Sequence, residues 1–255
     1  MSVVLSLKQI SKSYGAVQAL HGIDLDVRAG EVLAICGDNG AGKSTLIRIV
    51  SGAQPPSGGS IALKGQAVRF RSPHDALTQG IATIYQDLAL APRLSIVENI
   101  FMGAEHVRRL LPGIEVLDKP RMRREALGYL QRLSVPIEDM RRPVERMSGG
   151  QRQAVAIARA LHWNADIVIM DEPTAALGVK ETALVLGLIR RLREEGRTVI
   201  LISHNMSDVA ALADRVAILK AGTKVIDRPV AGLNADMLAH MVMTGQDVGH
   251  AAPAS

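Results

Sequence analysis

The sequence predicts an α/β fold in which a parallel sheet is covered by helices, preceded by an antiparallel β-subdomain and interrupted by a helical insertion. Three observations carry this expectation. After residue 151, strand-like runs alternate with helical ones, and alternating text of that kind implies a parallel sheet with helices on its faces. The first thirty residues alternate apolar and polar positions as strands do. Between these regions, prolines at 92, 112, 120, 136 and 143 divide the chain into short helical stretches. The chain of 255 residues is longer than one average domain and shorter than two. Its 47% apolar content supplies a sizeable core and excludes intrinsic disorder. The expected division is one domain over 1–245, with a core of 1–86 and 152–245 around a helical segment 87–151, and a flexible tail 246–255.

Each element has its own local reason. Ile23, Leu25 and Val27 share one strand face before a turn at Ala29 and Gly30. Glu31 to Cys36 is a short apolar run ending in glycines, and Leu46, Ile49 and Val50 follow at helical spacing from Lys43 until Gly52 stops them. Strand, tight loop and helix is the reading. Hairpin text surrounds Lys64 and Gly65, and a helix is expected over Arg121 to Leu133. Asp166 to Met170, Thr198 to Ile202 and Val216 to Leu219 read as strands. Gln151 to Trp163 sets Ala154, Ile157, Ala158 and Leu161 on one helix face, and Val179 to Glu195 does the same with Val185, Leu188, Ile189 and Leu192.

Composition narrows the partners. Two Phe, one Trp and three Tyr leave little with which to stack unpaired bases, so a nucleic-acid partner is not expected. The formal charge is +5, which favours an anionic partner such as phosphate or a lipid surface. Much of the surplus sits between Glu105 and Arg152, where eleven Lys/Arg face seven Asp/Glu. A single cysteine, Cys36, cannot form an internal disulfide and fits a reducing compartment; it reads as a small buried residue. No apolar run reaches the ~20 residues of a spanning helix, and the start of the chain does not read as a signal peptide, so any membrane role is expected to be peripheral.

Gly37, Asp38, Asn39, Gly40, Ala41, Gly42, Lys43, Ser44 and Thr45 spell G-x-x-x-x-G-K-[ST] between a predicted strand and a predicted helix. Average residue usage gives roughly one chance match per hundred chains of this length, before that context is required. Glycines let the backbone wrap close to phosphate, N–H groups at the helix start attract its oxygens, and Lys43 adds a point charge. Ser44 supplies a hydroxyl for Mg²⁺. Further on, IVIMDE runs an apolar strand into two carboxylates, which are costly to bury unless paired or metal-bound. Asp171 is expected to hold Mg²⁺ directly or through water, leaving Glu172 to orient and deprotonate an attacking water. Ser148, Gly149, Gly150 and Gln151 open an amphipathic helix; a serine N-cap and paired glycines admit an anion to the positive helix end, although an ordinary helix can start the same way.

Taken together, these residues resemble the ATP-binding cassette family, whose signature is an SGGQ-type motif between the P-loop and the DE pair. Here Met147 to Gln151 reads MSGGQ in that slot, and the resemblance covers residues 3 to 240. It implies a P-loop NTPase (RecA-like) core and ATP hydrolysis. By position it also implies that Tyr14 stacks on adenine, that Gln86 senses Mg²⁺, water and the transporter, and that His204 contacts the γ-phosphate. Family members associate head to tail, with ATP between the P-loop of one copy and the signature serine and glycines of the other. The helical insertion passes the motion to a membrane partner, which places the chain at the cytoplasmic face of the inner membrane. One departure stands out: where many relatives read S-A-L-D, this chain has Ala175, Ala176, Leu177 and Gly178.

GDNGAGKSTLI and DEPTAALGV further resemble the ATPases of carbohydrate importers of the ribose, xylose and fructose type. One P-loop and one SGGQ imply a single cassette acting as a homodimer with a separate permease and a substrate-binding protein. A cassette serving amino acids or lipids would share every motif, and a soluble cassette protein or a nucleotide-binding scaffold are further alternatives. Glu172 argues against the scaffold, because mere binding needs no base.

Overall fold

The computed structural model describes residues 2–175 and 177–247; most of the expected tail, from 248 on, and Ala176 lie outside them. Strand β1 (Val3–Tyr14) pairs antiparallel with β2 (Val17–Arg28) in a register that faces Leu5 to Val27, Leu7 to Leu25 and Ile10 to Ile23. All six side chains are buried, as the period-2 pattern requires. On its other edge β1 pairs with β4 (Gly58–Leu63), which turns back into β5 (Gln66–Val68). Lys64 and Gly65 make that turn at φ 50° and 80°, the left-handed pair that suits a two-residue hairpin. The sheet runs β2-β1-β4-β5.

The second sheet is the centre of the molecule. Five parallel strands, β3 (Val32–Cys36), β6 (Ile81–Ile84), β9 (Ile167–Asp171), β10 (Thr198–Ile202) and β11 (Arg215–Lys220), are joined at one edge by antiparallel β12 (Thr223–Pro229), in the order β12-β11-β3-β10-β9-β6. Every residue of β3 and β10 is buried, because both faces are covered. Alternation decides which layer each side chain joins. Leu33, Ile35, Ile167, Ile169, Ile200 and Ile202 meet the first sheet and helix α1 (Lys43–Val50), whereas Val168, Met170, Val199 and Leu201 meet the helices of the opposite face.

Those helices are α3 (Ile96–Phe101), α4 (Lys119–Arg132), α5 (Gly149–His162) and α6 (Val179–Glu194). The short α2 (Pro73–Thr78) precedes β6, while α7 (Met206–Leu212) and α8 (Ala235–Thr244) cover β11. Met122, Ala126 and Leu130 of α4 share one apolar cluster with Ile157 of α5 and Met170 of β9, so the segment 87–151 packs onto the sheet layer rather than around a core of its own.

That segment also corrects one expectation. It is not helical throughout, because β7 (Val107–Leu111) and β8 (Ile114–Leu117) form an antiparallel hairpin within it. Pro112 and Gly113, at φ 84°, form its turn. The proline punctuates a hairpin here, not a helix boundary. Val107, Leu110, Leu111, Ile114 and Leu117 are all exposed, so burial imposes no alternation that the sequence could have displayed.

One buried ion network fastens the two sheets together. Arg215 of β11 donates from Nη1 to Glu31 at 2.7 Å, from Nε to Asp227 of β12 at 2.6 Å, and from Nη2 to the carbonyl of Asp26 in β2 at 2.7 Å. Burial disfavours the charged form of Asp227, but hydrogen bonds from Arg215 and Lys224 win and hold its carboxyl below the usual range. Breaking a buried pair strands its partner, so Arg215→Ala should cost about 3–5 kcal/mol in a urea titration. Because the folded carboxyl of Asp227 is depressed, its stabilisation is complete above its unfolded pKa of ~3.9 and fades as pH falls through the folded value. Asp227→Asn should therefore flatten the acid limb of unfolding midpoint against pH.

Candidate nucleotide site at the carboxyl edge of the parallel sheet

Register assembles the site. Ile35 of β3 lies beside Ile202 of β10, Ile202 beside Asp171 of β9, and Met170 beside Ile84 of β6. The residues that follow these strands therefore leave the sheet at one edge: Gly37–Thr45 after β3, Glu172 after β9, His204 after β10 and Gln86 after β6. Ligands of open parallel sheets bind at that edge, beyond the carboxyl ends of the strands.

The loop after β3 requires its glycines. Gly37 stands at φ 149° and a Cβ there would lie 2.2 Å from the carbonyl oxygen of Leu219. Gly42, at φ 102°, would bring a Cβ to 2.7 Å from Leu20 Cδ2 and 3.0 Å from the carbonyl of Ala19. Gly40, at φ 80°, has open space around it, and Asp38, Asn39 and Gly40 are exposed. Helix α1 starts with neither a capping side chain nor an acidic residue in its first turn. Its amide dipoles thus face the loop without a built-in anion. Lys43 Nζ donates to the carbonyls of Gly37 at 2.6 Å and Asp38 at 2.9 Å, which holds the loop as a ring around its ammonium group. Ser44 is exposed at the start of the same helix, and Ala41 is buried beneath the loop.

Two acids and a histidine face this loop. Burial raises the pKa of Asp171, and the neighbouring Glu172 raises it further against the pull of Lys43 and Arg48. A carboxyl in that condition is short of a cation. Glu172 adopts φ 51°, left-handed backbone that costs a non-glycine residue about 1–3 kcal/mol and is found at functional sites. Its N–H donates to the carbonyl of Ile202 at 2.9 Å, and its Oε2 lies 2.7 Å from His204 Nδ1. The carboxylate is largely buried at 17% exposure while the histidine is 73% exposed, so His204 is the side chain free to meet an incoming ligand.

The remaining expected residues are placed as follows. Tyr14 is exposed at the end of β1, donates its hydroxyl to Gln54 Oε1 at 2.7 Å, and has Lys12 Nζ 5.5 Å from its ring. Gln54 in turn donates to the carbonyl of Thr45 at 3.3 Å, which ties Tyr14 to the first turn of α1. Gln86 is exposed two residues beyond β6. Ser148 caps α5 in a reciprocal box with Gln151. The side-chain hydrogen bonds at Ser148–Gln151 join Ser148 to Gln151 and Gly149 to Glu181, whose Oε1 accepts from the Gly149 N–H at 2.9 Å.

Two groups that sequence reading did not single out support the site. Glu181 joins the start of α5 to the start of α6, and Gln153 of α5 donates to the carbonyl of Pro173 at 3.2 Å, beneath the loop that carries Glu172. On the far side of that loop Thr174 Oγ1 donates to Asp208 of α7 at 2.7 Å. A buried glutamine on an otherwise apolar helix face was the visible signal for Gln153.

The sequence profile of the family described as ABC transporter matches residues 20–175 of this chain. The chain belongs to the ABC transporter family. It is an ATPase subunit of that family. The xylose/arabinose import ATP-binding protein of Sulfolobus acidocaldarius is 43% identical over 249 residues, 98% of this chain and 97% of that protein. The fructose import ATP-binding protein of Rhizobium meliloti is 47% identical over 228 residues, 87% and 86% of the two chains. The ribose import ATP-binding protein of Rhodopirellula baltica is 40% identical over 96% of this chain, which spans 47% of that protein. Among solved structures, a dimeric post-hydrolysis ATP-binding cassette bound to ADP and Pi is similar with TM-score 0.73 and 26% identity, over 90% of this chain and all of that one. The ADP conformation of another transporter cassette shares the fold at TM-score 0.79 and 23% identity, over 96% and 100%.

The family's P-loop strand ends here in Cys36, as expected a buried residue. Burial pushes its thiol up to about 12, against the pull of Lys43. Native protein at pH 8 should therefore stay silent to a disulfide reagent such as DTNB, and one thiol should react after denaturation.

Proposed function

We propose that this chain is the ATP-hydrolysing subunit of a sugar importer and works as a head-to-tail homodimer. The observation that carries the dimer is the division of the site within one chain. The P-loop, Asp171, Glu172 and His204 gather at the sheet edge, while Ser148–Gln151 cap a different helix. In the dimer, ATP lies between the P-loop of one copy and Ser148, Gly149 and Gly150 of the other, with Tyr14 against the adenine. The names of the xylose/arabinose, fructose and ribose relatives support a sugar as cargo. The cassette itself does not touch it.

The donor set fits Mg²⁺. Ser44 offers a hydroxyl, Gln86 an amide oxygen and Asp171 a carboxylate made cation-hungry by burial, all hard oxygen ligands. When bound, the ion would neutralise charge on the β- and γ-phosphates. The chain's own residues do the rest. Lys43 exchanges two loop carbonyls for phosphate oxygens. Glu172 accepts a proton from the attacking water, with its carboxylate aimed by the 2.7 Å contact to His204. His204, exposed on its other side, donates to the γ-phosphate.

Transmembrane permease subunits are the partners of this reading, and through them a substrate-binding protein. Residues 87–151 are the segment that passes motion to the permease within a nucleotide-binding domain of 1–245. Between that segment and the sheet lies a cleft of about 310 Å³ lined by Leu77, Ile84, Tyr85, Met102, Arg159 and Trp163, suited to a short helix of a partner. Tyr85 precedes Gln86, so occupancy of the cleft is felt at the nucleotide. Among the described residues no helix is long and apolar enough to cross a membrane. Association is through the permease at the cytoplasmic face of the inner membrane, aided by the exposed, basic hairpin with Arg108 and Arg109.

Glu172→Gln should bind ATP with unchanged affinity, accumulate as a dimer in size-exclusion chromatography, and turn over about 10²- to 10⁴-fold more slowly. Turnover within a fewfold of wild type would remove Glu172 from the role of base. Wild-type hydrolysis should rise more than linearly with protein concentration; a strictly linear dependence down to dilute monomer would overturn the dimeric site.

A further inference from the structure

Away from the nucleotide edge, two histidines and a glutamate converge where α4, the end of α5 and the turn before β7 meet. His106 Nε2 lies 2.7 Å from Glu125 Oε2. One ring nitrogen from each of His106 and His162, with one oxygen of Glu125, all fall within 4.8 Å of one another, and no other set of three or more such ligands stands out among the described residues. The three come from separate pieces of the chain. His106 precedes β7, Glu125 lies in the second turn of α4, and His162 is the last residue of α5.

Each of these side chains is held from behind. Arg121 Nε donates to Glu125 Oε1 at 2.9 Å, which leaves Oε2 turned to the histidines. His162 Nε2 sits 3.1 Å from the carbonyl of Ala104, and with its proton there the neutral ring keeps its lone pair on Nδ1, whose neighbour is the Tyr129 hydroxyl at 3.5 Å. Phe101 packs against both imidazoles, with ring centroids 5.2 Å from His106 and 4.2 Å from His162. Metal-binding histidines and carboxylates are oriented in this way by backbone carbonyls and charged neighbours. All three residues are partly buried, so a ligand exchanges little water for the site yet reaches it from outside.

We propose that His106, Glu125 and His162 form a site for a borderline divalent cation of the zinc type, with a fourth position left to water. Two imidazoles and one carboxylate favour Zn²⁺ over Mg²⁺ or Ca²⁺, which prefer all-oxygen sets. With bonds of ~2.0–2.1 Å in a tetrahedron, the ligand atoms stand about 3.3 Å apart. The 2.7 Å pair opens slightly and the third ligand closes in, movements that side-chain torsions supply. The cation would staple α4 and the hairpin's base to the carboxyl end of α5, the helix whose other end is Ser148–Gln151. Met102, Gly103 and Trp163, in the wall of the 310 Å³ cleft, adjoin His162 and the turn that holds His106. Metal occupancy would therefore stiffen that wall.

The test uses the full chain freed of metal by chelation and without nucleotide or Mg²⁺. Titration with Zn²⁺ in a calorimeter should show one site with Kd at or below about 10 μM, and Co²⁺ should give the intense visible absorption of a tetrahedral centre. Saturating Zn²⁺ should raise Tm by about 5 °C. His106→Ala and Glu125→Gln should each weaken Zn²⁺ binding at least ~10-fold. His106 stands farther from Phe101 than His162 does, at 5.2 Å against 4.2 Å between ring centroids, and Glu125 has no ring contact, so these two variants disturb the packing least and circular dichroism verifies the fold. A Kd weaker than about 10 μM, or variants that bind Zn²⁺ within ~10-fold of wild type, would overturn the site, the latter by placing the cation elsewhere, for example at Asp171, Glu172 and His204.

Discussion

The parallel pairing of β3, β10 and β9 is the constraint on which the rest depends. Hydrogen bonding fixes Ile35, Ile202 and Asp171 abreast, so three chain segments far apart in sequence finish at the same height. Each strand is buried on both faces and none of the three can slide without turning apolar side chains out of their layer. The phosphate loop, the acid pair and the histidine are therefore located by the core itself. Their precision comes from hydrophobic packing that is remote from any ligand.

The site's electrostatics follow from the same placement. A sheet edge reached by dry strands leaves Asp171 half-buried beside Glu172, and burial followed by that neighbouring carboxylate raises the cost of ionising Asp171. The fields of Lys43 and Arg48 offset part of that cost, while Glu172 lies in direct contact with His204. Neither Lys43 nor Arg48 makes a direct bond to Asp171, which keeps that carboxyl available to a ligand cation. The strained backbone at Glu172 fits this picture, because a left-handed residue turns the chain sharply off the strand and brings the carboxylate back toward His204.

Local signals made the core legible from sequence. The P-loop, the strand–acid text of IVIMDE, the helix over Val179–Glu194 and the Lys64–Gly65 turn each rest on residues within a few positions of one another. The start of α5 was also written locally, since Ser148 and Gln151 are a capping box three residues apart. What escaped notice depends on distance in sequence. The β7–β8 hairpin has no buried face, so no pattern of apolar and polar residues announces it. Strand β6 is only four residues long and borrows its register from β9, more than eighty positions away. Glu181 becomes a partner of Gly149 only because α5 and α6 meet end to end, and the pairing of His106 with Glu125 and His162 needs the turn, α4 and α5 already assembled.

Gly149 and Gly150 have a consequence of a different kind. A Cβ on Gly149 would stand 2.4 Å from Leu177 Cδ2, and one on Gly150 2.8 Å from Leu184 Cδ2, both in the same chain. These glycines are thus spacers between the start of α5 and the start of α6 within a single chain. A methyl added at either one first meets the end of a leucine side chain, so Leu177 or Leu184 must turn aside before any nucleotide arrives. The space of the missing Cβ atoms at the start of α5 is therefore already occupied in the lone chain, and packing alone is a reason to keep both positions small.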